Sequence, residues 1–309
     1  MVKISDFSFP SSDGVHHIRC RRWEPEGTAR AVVHLVHGVA EHIERYHEFA
    51  SFLAEHGYAV AGDDHLGHGK SISDGSELGW FSEEDGWKHL VEDEKKLRDI
   101  LRERFPGVPM VLFGHSMGSF MARTYLGWYP QDFDACVLSG TGRQPGIVCR
   151  AGKLLARLEI NWHGSKYRSS LLQKAVFGGY LKRVENPTGP NDWVCRDAEV
   201  IRKYDTDPLC GYIATVGLMY DMMDGMQLIG KSSHMAKMDK AKPVLFIAGD
   251  ADPVGNYGKG VKQVAEGFIR AGMQDISVKL YPDFRHEILN EFGKEQVCDD
   301  VLHWLEEKI

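Results

Sequence analysis

Met110-Val111-Leu112-Phe113-Gly114-His115-Ser116-Met117-Gly118-Ser119-Phe120 is the stretch that decides the fold. The apolar run Met110–Phe113 reads as a strand buried on both faces of a sheet. Met117–Trp128 reads as the helix that follows. Between them lies Gly114-His115-Ser116-Met117-Gly118, a G-x-S-x-G turn from strand to helix. Such a turn is so sharp that side chains two places before and after the serine would strike neighbouring backbone, and glycine avoids this. The serine is then held in a strained conformation with its hydroxyl lifted clear of the sheet. The free N–H groups and dipole of the new helix face the same point. A chance pentapeptide is the alternative in a chain with 33 glycines among 309 residues. The strand before it and the helix after it favour a presented nucleophile, Ser116.

The pattern repeats outward from this unit. Short runs rich in Val, Ile and Leu occur at Ala31–His37, Tyr58–Gly62, Ala135–Ser139, Pro243–Ala248 and Ile276–Tyr281. Helical stretches separate them at Ile43–His56, Gly86–Phe105, Gly260–Ala271 and Glu295–Glu307. This alternation argues βαβ units and a wound sheet. Ile4–Phe9 and His17–Trp23 alternate apolar and polar residues around Pro10-Ser11-Ser12-Asp13-Gly14, which reads as an antiparallel edge hairpin. Eight strands are expected, the first two antiparallel. From Gly142 to Ala236 no buried strand is visible, and turn signals fall at Pro187–Asn191. So long a stretch without a strand suggests an insertion. The expected organisation is a core of residues 1–141 and 237–309, with a helical lid over 142–236.

A nucleophilic serine needs a base and an orienting acid. On a sheet of this kind the chain order is serine, acid, histidine. Four histidines follow Ser116: His163 and His234 in the lid, His303 inside the last helix, and His286. His286 lies on a loop at the carboxyl end of a strand, where the sites of such sheets gather. The acid should follow the preceding strand, in Gly249-Asp250-Ala251-Asp252. Asp252 is favoured over Asp250, because the chain must turn before an acid can point at the histidine. Asp250 reads instead as a turn residue bonding its own backbone. The oxyanion of an acyl-transfer intermediate would need backbone donors. Met117 N–H, just after the nucleophile, is one. Val39 N–H, on the loop after Ala31–His37, is the second.

Composition narrows the classes. The net charge is −7 and no basic block stands out, which argues against a nucleic-acid partner. The six cysteines form no C-x-x-C pair, and a chain this long needs no disulfide framework, so reduced thiols in a cytoplasmic protein are expected. The N-terminus shows no basic segment followed by an apolar one, so no signal peptide is expected. The longest nearly apolar run, Leu209–Tyr220, is too short to span a bilayer. Despite 15 histidines, no metal or other cofactor is expected. His37–His42 reads H-x-x-x-E-H, one residue too long for an inverted zincin motif, and His65-x-x-His68 flanks a loop glycine.

Taken together, these residues resemble the monoacylglycerol lipases and bacterial lysophospholipase-like hydrolases. His37-Gly38-Val39-Ala40-Glu41-His42-Ile43-Glu44-Arg45-Tyr46 is similar to their H-G-x-x-E-H-x-x-R-Y block, and Asp64–Ser71 to their D-x-x-G-H-G-x-S block. Gly114–Gly118, Gly249–Asp252 and His286–Glu291 complete the set in order. The resemblance implies an α/β-hydrolase fold with a helical cap, and a monoacyl ester substrate with a small polar alcohol, a monoacylglycerol or lysophospholipid. It supports Asp252 as the acid and Val39 and Met117 as the oxyanion donors. It places Glu41 and Arg45 near the polar end of the site, although a plain salt bridge on one helix turn is an equal reading.

The resemblance fades across the lid. There Met219, Met222, Met223 and Met226 recur at helical spacing. They suit either an acyl-chain pocket or the packing of lid on core. Contact of the lid with a lipid surface is a further expectation, although no basic face is visible to support it. Two other functions compete. An aminopeptidase or amidase would use the same triad with an acidic pocket, for which Glu159, Asp192, Asp197 and Glu199 are available. A non-catalytic ligand receptor could keep the fold without turnover. Nothing in the sequence sets the oligomeric state.

Overall fold

The structure is a computed structural model that describes residues 1–309. The strands are β1 (Lys3–Pro10), β2 (His17–Glu24), β3 (Val32–Val36), β4 (Ala59–Asp64), β5 (Met110–His115), β6 (Ala135–Ser139), β7 (Val244–Gly249) and β8 (Ile276–Tyr281). They form one sheet in the order β1-β2-β4-β3-β5-β6-β7-β8. The helices are α1 (His47–Glu55), α2 (Gly86–Arg104), α3 (Met117–Trp128), α4 (Gly146–His163), α5 (Ser170–Phe177), α6 (Ala198–Thr206), α7 (Val216–Ile229), α8 (Ser232–Met235), α9 (Lys259–Arg270) and α10 (Lys294–Lys308).

β2 is antiparallel to both β1 and β4, and every other pairing is parallel. It is therefore the one strand running against the rest. β3 to β7 are buried at every residue, as expected of strands covered on both faces. Alternate residues feed two cores. Leu112 and Phe246 pack with α2, α3 and α9 on one face, while Phe113 and Ile247 pack with α1 and α10 on the other. The helix expected over Ile43–His56 is broken. A 3₁₀ turn, Ile43–Tyr46, precedes α1, because Asp64 Oδ1 takes the Ile43 N–H and draws that turn onto the end of β4.

Between β6 and β7 the chain forms α4 to α8 and no strand. α7 ties this segment down. Thr215 caps it, accepting the Leu218 N–H at 3.1 Å. Gly225 sits so close to α2 that a Cβ there would lie 2.0 Å from the Trp87 ring. No helix in the chain is long and apolar enough to cross a membrane.

The elbow between β5 and α3 is fixed by contact with β3. A Cβ on Gly118 would lie 2.1 Å from the Val36 carbonyl oxygen, and one on Gly114 2.5 Å from the Gly118 carbonyl oxygen. Those obstacles are backbone, which cannot swing aside. Gly118→Ala is expected to lower the free energy of urea unfolding by about 3 kcal/mol, the upper range for overpacking. An unchanged urea midpoint would contradict this packing.

Candidate active site

Ser116 sits at the top of the elbow with φ 53° and ψ −122°, a conformation that non-glycine residues adopt only under constraint. It is partly exposed, at the start of α3. Its hydroxyl donates to His286 Nε2 at 2.8 Å. His286 Nδ1–H in turn donates to Asp252 Oδ2 at 3.0 Å. Asp252 is fully buried, and its other oxygen accepts the Val254 N–H at 2.8 Å. The three side chains predicted from sequence thus meet, across 170 and 34 residues of chain.

Asp250 stands apart from this line. It accepts the Asp283 N–H at 2.7 Å, so it braces the loop after β8 rather than bonding its own backbone. Burial opposes charge on His286, but the adjacent Asp252 carboxylate outweighs it and raises the imidazole above its ordinary value of 6.5. His115 packs 4.8 Å from the His286 ring. Burial, followed by the charges of His286 and Arg45, holds it well below 6.5 and therefore neutral. His163 ends α4 in solvent, His303 is exposed on α10, and His234 is bonded to the Arg123 carbonyl, so none approaches Ser116.

The loop after β3 lies against the serine. A Cβ on Gly38 would come 3.0 Å from Ser116 Cβ. Val39 and Met117 both line the cavity that opens at Ser116. This cavity has a volume of about 720 Å³ and mostly apolar walls. Met222, Met223 and Met226 form part of them, while Met219 is buried in the core behind. The methionine stripe therefore serves both readings, packing on one side and cavity on the other.

The polar end holds a network that sequence reading met only in part. Glu41 Oε1 accepts the Gly38 N–H at 2.6 Å and the Tyr46 hydroxyl at 2.8 Å. Glu41 Oε2 accepts from Arg45 at 3.0 Å. Arg45 also grips both oxygens of Glu287, one of them at 2.6 Å from Nη2, and its guanidinium lies 4.7 Å from the Tyr204 ring centroid on α6. One buried cation thereby joins the loop of Gly38, the loop of His286 and α6. Burial raises Glu41 above the usual carboxylate range, whereas Arg45 overcomes burial at Glu287 and holds it low. The salt bridge between Glu41 and Arg45 is present, but the role of Glu287 was missed. It lies 242 residues from Arg45, and the only signal was an acidic residue next to His286.

Two groups carry metal-ligating side chains. His42 bonds Asp207 at 2.9 Å beside Cys210. Deeper in, His65 Nδ1 lies 3.2 Å from an oxygen of both Asp63 and Glu94, and all three are fully enclosed. Burial disfavours the cation, but the two carboxylates outweigh it and raise His65 well above 6.5. The resulting imidazolium holds the pair together. Its Nε2 reaches the His37 carbonyl at 3.0 Å, which ties the cluster to the loop at Gly38.

The acids proposed for an amine pocket are engaged elsewhere. Asp192 accepts from Thr188 and Gly189, Asp197 caps α6, Glu199 pairs with Arg202, and Glu159 accepts from Ser169. None of them lines the cavity.

A wound eight-stranded sheet, a strained serine at the elbow after β5, and a late histidine within its reach define an α/β-hydrolase. The pattern of the serine aminopeptidase S33 family matches residues 27–293, and the chain belongs to that family. Within it the chain is similar to the monoacylglycerol lipase of Mycolicibacterium smegmatis, at 30% identity over 97% of this chain and 96% of the relative. The human monoglyceride lipase is 27% identical over 95% of this chain and 86% of its own length. A thermostable carboxyl esterase from Bacillus coagulans, solved with glycerol, superposes with a TM-score of 0.92 at 30% identity, over 100% of this chain and 99% of that one. The protein is a hydrolase of the serine esterase type.

Arg45→Met would leave two carboxylates buried without their cation. It is expected to cost about 3–5 kcal/mol in denaturant unfolding at neutral pH. A loss below about 1 kcal/mol would mean the carboxylates do not depend on Arg45.

Proposed function

We propose that the protein hydrolyses monoacyl esters, a monoacylglycerol or a lysophospholipid, through an acyl-enzyme on Ser116. The observation that carries this reading is the unbroken Ser116–His286–Asp252 line at the mouth of a cavity with mostly apolar walls. The similarity to monoacylglycerol lipases points the same way.

Ser116 Oγ attacks the ester carbonyl carbon as His286 Nε2 takes its proton. Negative charge moves to the carbonyl oxygen, where the Val39 and Met117 N–H groups stabilise it. Asp252 holds the imidazole tautomer and balances the imidazolium. The tetrahedral intermediate collapses, the ester C–O bond breaks, and His286 passes the proton to the departing alcohol. Water then repeats the sequence on the acyl-enzyme and releases the fatty acid. The acyl chain lies along Met222, Met223 and Met226, and the alcohol faces the Glu41–Arg45–Glu287 end. Residues 142–236 act as a cap over a core of 1–141 and 237–309, and the cap contacts the lipid surface that supplies the substrate.

Ser116→Ala is expected to abolish hydrolysis of p-nitrophenyl butyrate and laurate, and of a monoacylglycerol and lysophospholipid chain-length series. Asp252→Asn should lower kcat by roughly 10⁴. Turnover of aminoacyl anilides with inertness toward every ester would overturn the reading.

The pH profile has a definite sign. His286 must be neutral to accept the serine proton, and its pKa is raised above 6.5. kcat/KM should therefore fall as pH drops through an inflection above 6.5. An inflection below 6.5, or a flat profile from about pH 5 to 8, would contradict the Asp252–His286 coupling.

A further inference from the structure

A base that gains and loses a proton in every cycle is sensitive to whatever packs on its ring. His286 is 4% exposed, so its surroundings are almost entirely protein. A Cβ on Gly140 would lie 3.0 Å from its Cε1, which closes that edge. Two aromatic rings pack beside it. His115 comes from the elbow. The other is Trp193, whose ring centroid lies 5.1 Å from that of His286, with the planes tilted by 39°. Trp193 belongs to the segment between β6 and β7, is half-buried, and lines the cavity. Behind it, Tyr180 packs edge-on at 4.8 Å and Phe177 lies at 6.4 Å, so the indole is held from its far side as well.

The backbone that carries Trp193 is fastened to the loop that carries His286. The Glu287 N–H donates to the Val194 carbonyl at 2.8 Å. The Arg285 guanidinium donates to the carbonyls of Asp192 and Cys195, the latter at 2.9 Å. Glu291 Oε1 accepts the N–H groups of both Arg285 and Arg196, each at 3.0 Å, and Glu291 Oε2 accepts from Arg196 Nε at 2.9 Å. The Cys195 thiol donates to the Asn290 carbonyl at 3.2 Å. The residues on either side of His286 therefore bond the residues on either side of Trp193. The two rings are set against each other by their backbones, not by side-chain packing alone.

We propose that Trp193 is a positioning residue for His286, holding the imidazole toward Ser116 and stabilising its cationic form through the indole π system. This rests on the acyl-enzyme chemistry proposed for Ser116 and His286. A cation within about 6 Å of an indole centroid is attracted by the ring quadrupole, and the attraction strengthens where water is excluded. Neutral imidazole lacks that attraction. The imidazolium builds up in the transition states of both acylation and deacylation, so the contact favours them over the bound substrate and raises kcat. A tryptophan that merely walled the cavity would act on substrate affinity instead. The charged and titratable groups around His286 are Asp252, Glu287 on its own loop, Glu41 and Arg45 from the loop after β3, and His115. All of them stay in place when only residue 193 is changed.

The test compares Trp193→Leu, which keeps an apolar side chain but no π system, with Trp193→Phe, which keeps a weaker one. With p-nitrophenyl butyrate, kcat should fall about tenfold in the leucine variant and no more than about threefold in the phenylalanine variant. KM should stay within about twofold in both. The acid inflection of kcat/KM should move down by about half a pH unit or more in the leucine variant, because the imidazolium loses its partner, and by less in the phenylalanine variant. Both variants should still take one fluorophosphonate on Ser116, more slowly than the parent, which shows that they fold. Equal losses in the two variants with an unmoved inflection would reduce Trp193 to a space-filler, and a raised KM with parent-like kcat would reduce it to a wall of the substrate cavity. Either result overturns the proposal and leaves the triad standing. A parent protein that takes no fluorophosphonate would overturn the triad, and the role of Trp193 with it.

Discussion

The close approach of Gly118 to the end of β3 is the contact on which the site depends. With only 2.1 Å between a would-be Cβ and the Val36 carbonyl oxygen, α3 can begin directly against the neighbouring strand. That places Ser116 beside the loop of Gly38 and Val39, where the proposed mechanism needs its nucleophile and backbone donors together. The left-handed φ of Ser116 is the local cost of this arrangement, and the surrounding sheet maintains it. β5 and β3 are paired in register from Val32↔Met110 to Val36↔Gly114, so the two loops cannot slide apart.

A second layer of constraint comes from buried charge. Arg45 joins the Gly38 loop, through Glu41, to the His286 loop, through Glu287. Beneath them His65 binds Asp63 and Glu94 and reaches the His37 carbonyl. Neither group needs to touch substrate to matter. Both fix the loop at Gly38, and Arg45 also fixes the loop at His286; in the proposed mechanism small displacements there are costly. The backbone around 194 joins the same frame, since the Glu287 N–H donates to the Val194 carbonyl at 2.8 Å. The wall around Val194 is thus stitched to the core.

Most of the framework was legible in the sequence for physical reasons. Fully buried parallel strands such as Val32–Val36 and Val244–Gly249 need continuous apolar runs, and the elbow needs its two glycines. Ser116, Asp252 and His286 follow β5, β7 and β8, and few residues at those strand ends compete for the roles proposed for them. What escaped was set by folding across long separations. Glu287 carries no local pattern, and its meaning appears only when Arg45 arrives beside it. The acids Asp192 and Asp197 looked free in sequence but serve turns and caps. The 3₁₀ break at Ile43–Tyr46 came from a tertiary bond to Asp64, which overrides helix propensity.

The central claim is that Ser116 is chemically activated by the groups around it. Incubating the folded protein with a fluorophosphonate and measuring intact mass tests this most directly. The account predicts one stoichiometric adduct, mapped by peptide mass spectrometry to the segment containing Ser116, with labelling slowed when His286 is replaced by alanine. A folded protein that acquires no adduct, or carries it on another residue, would contradict the account.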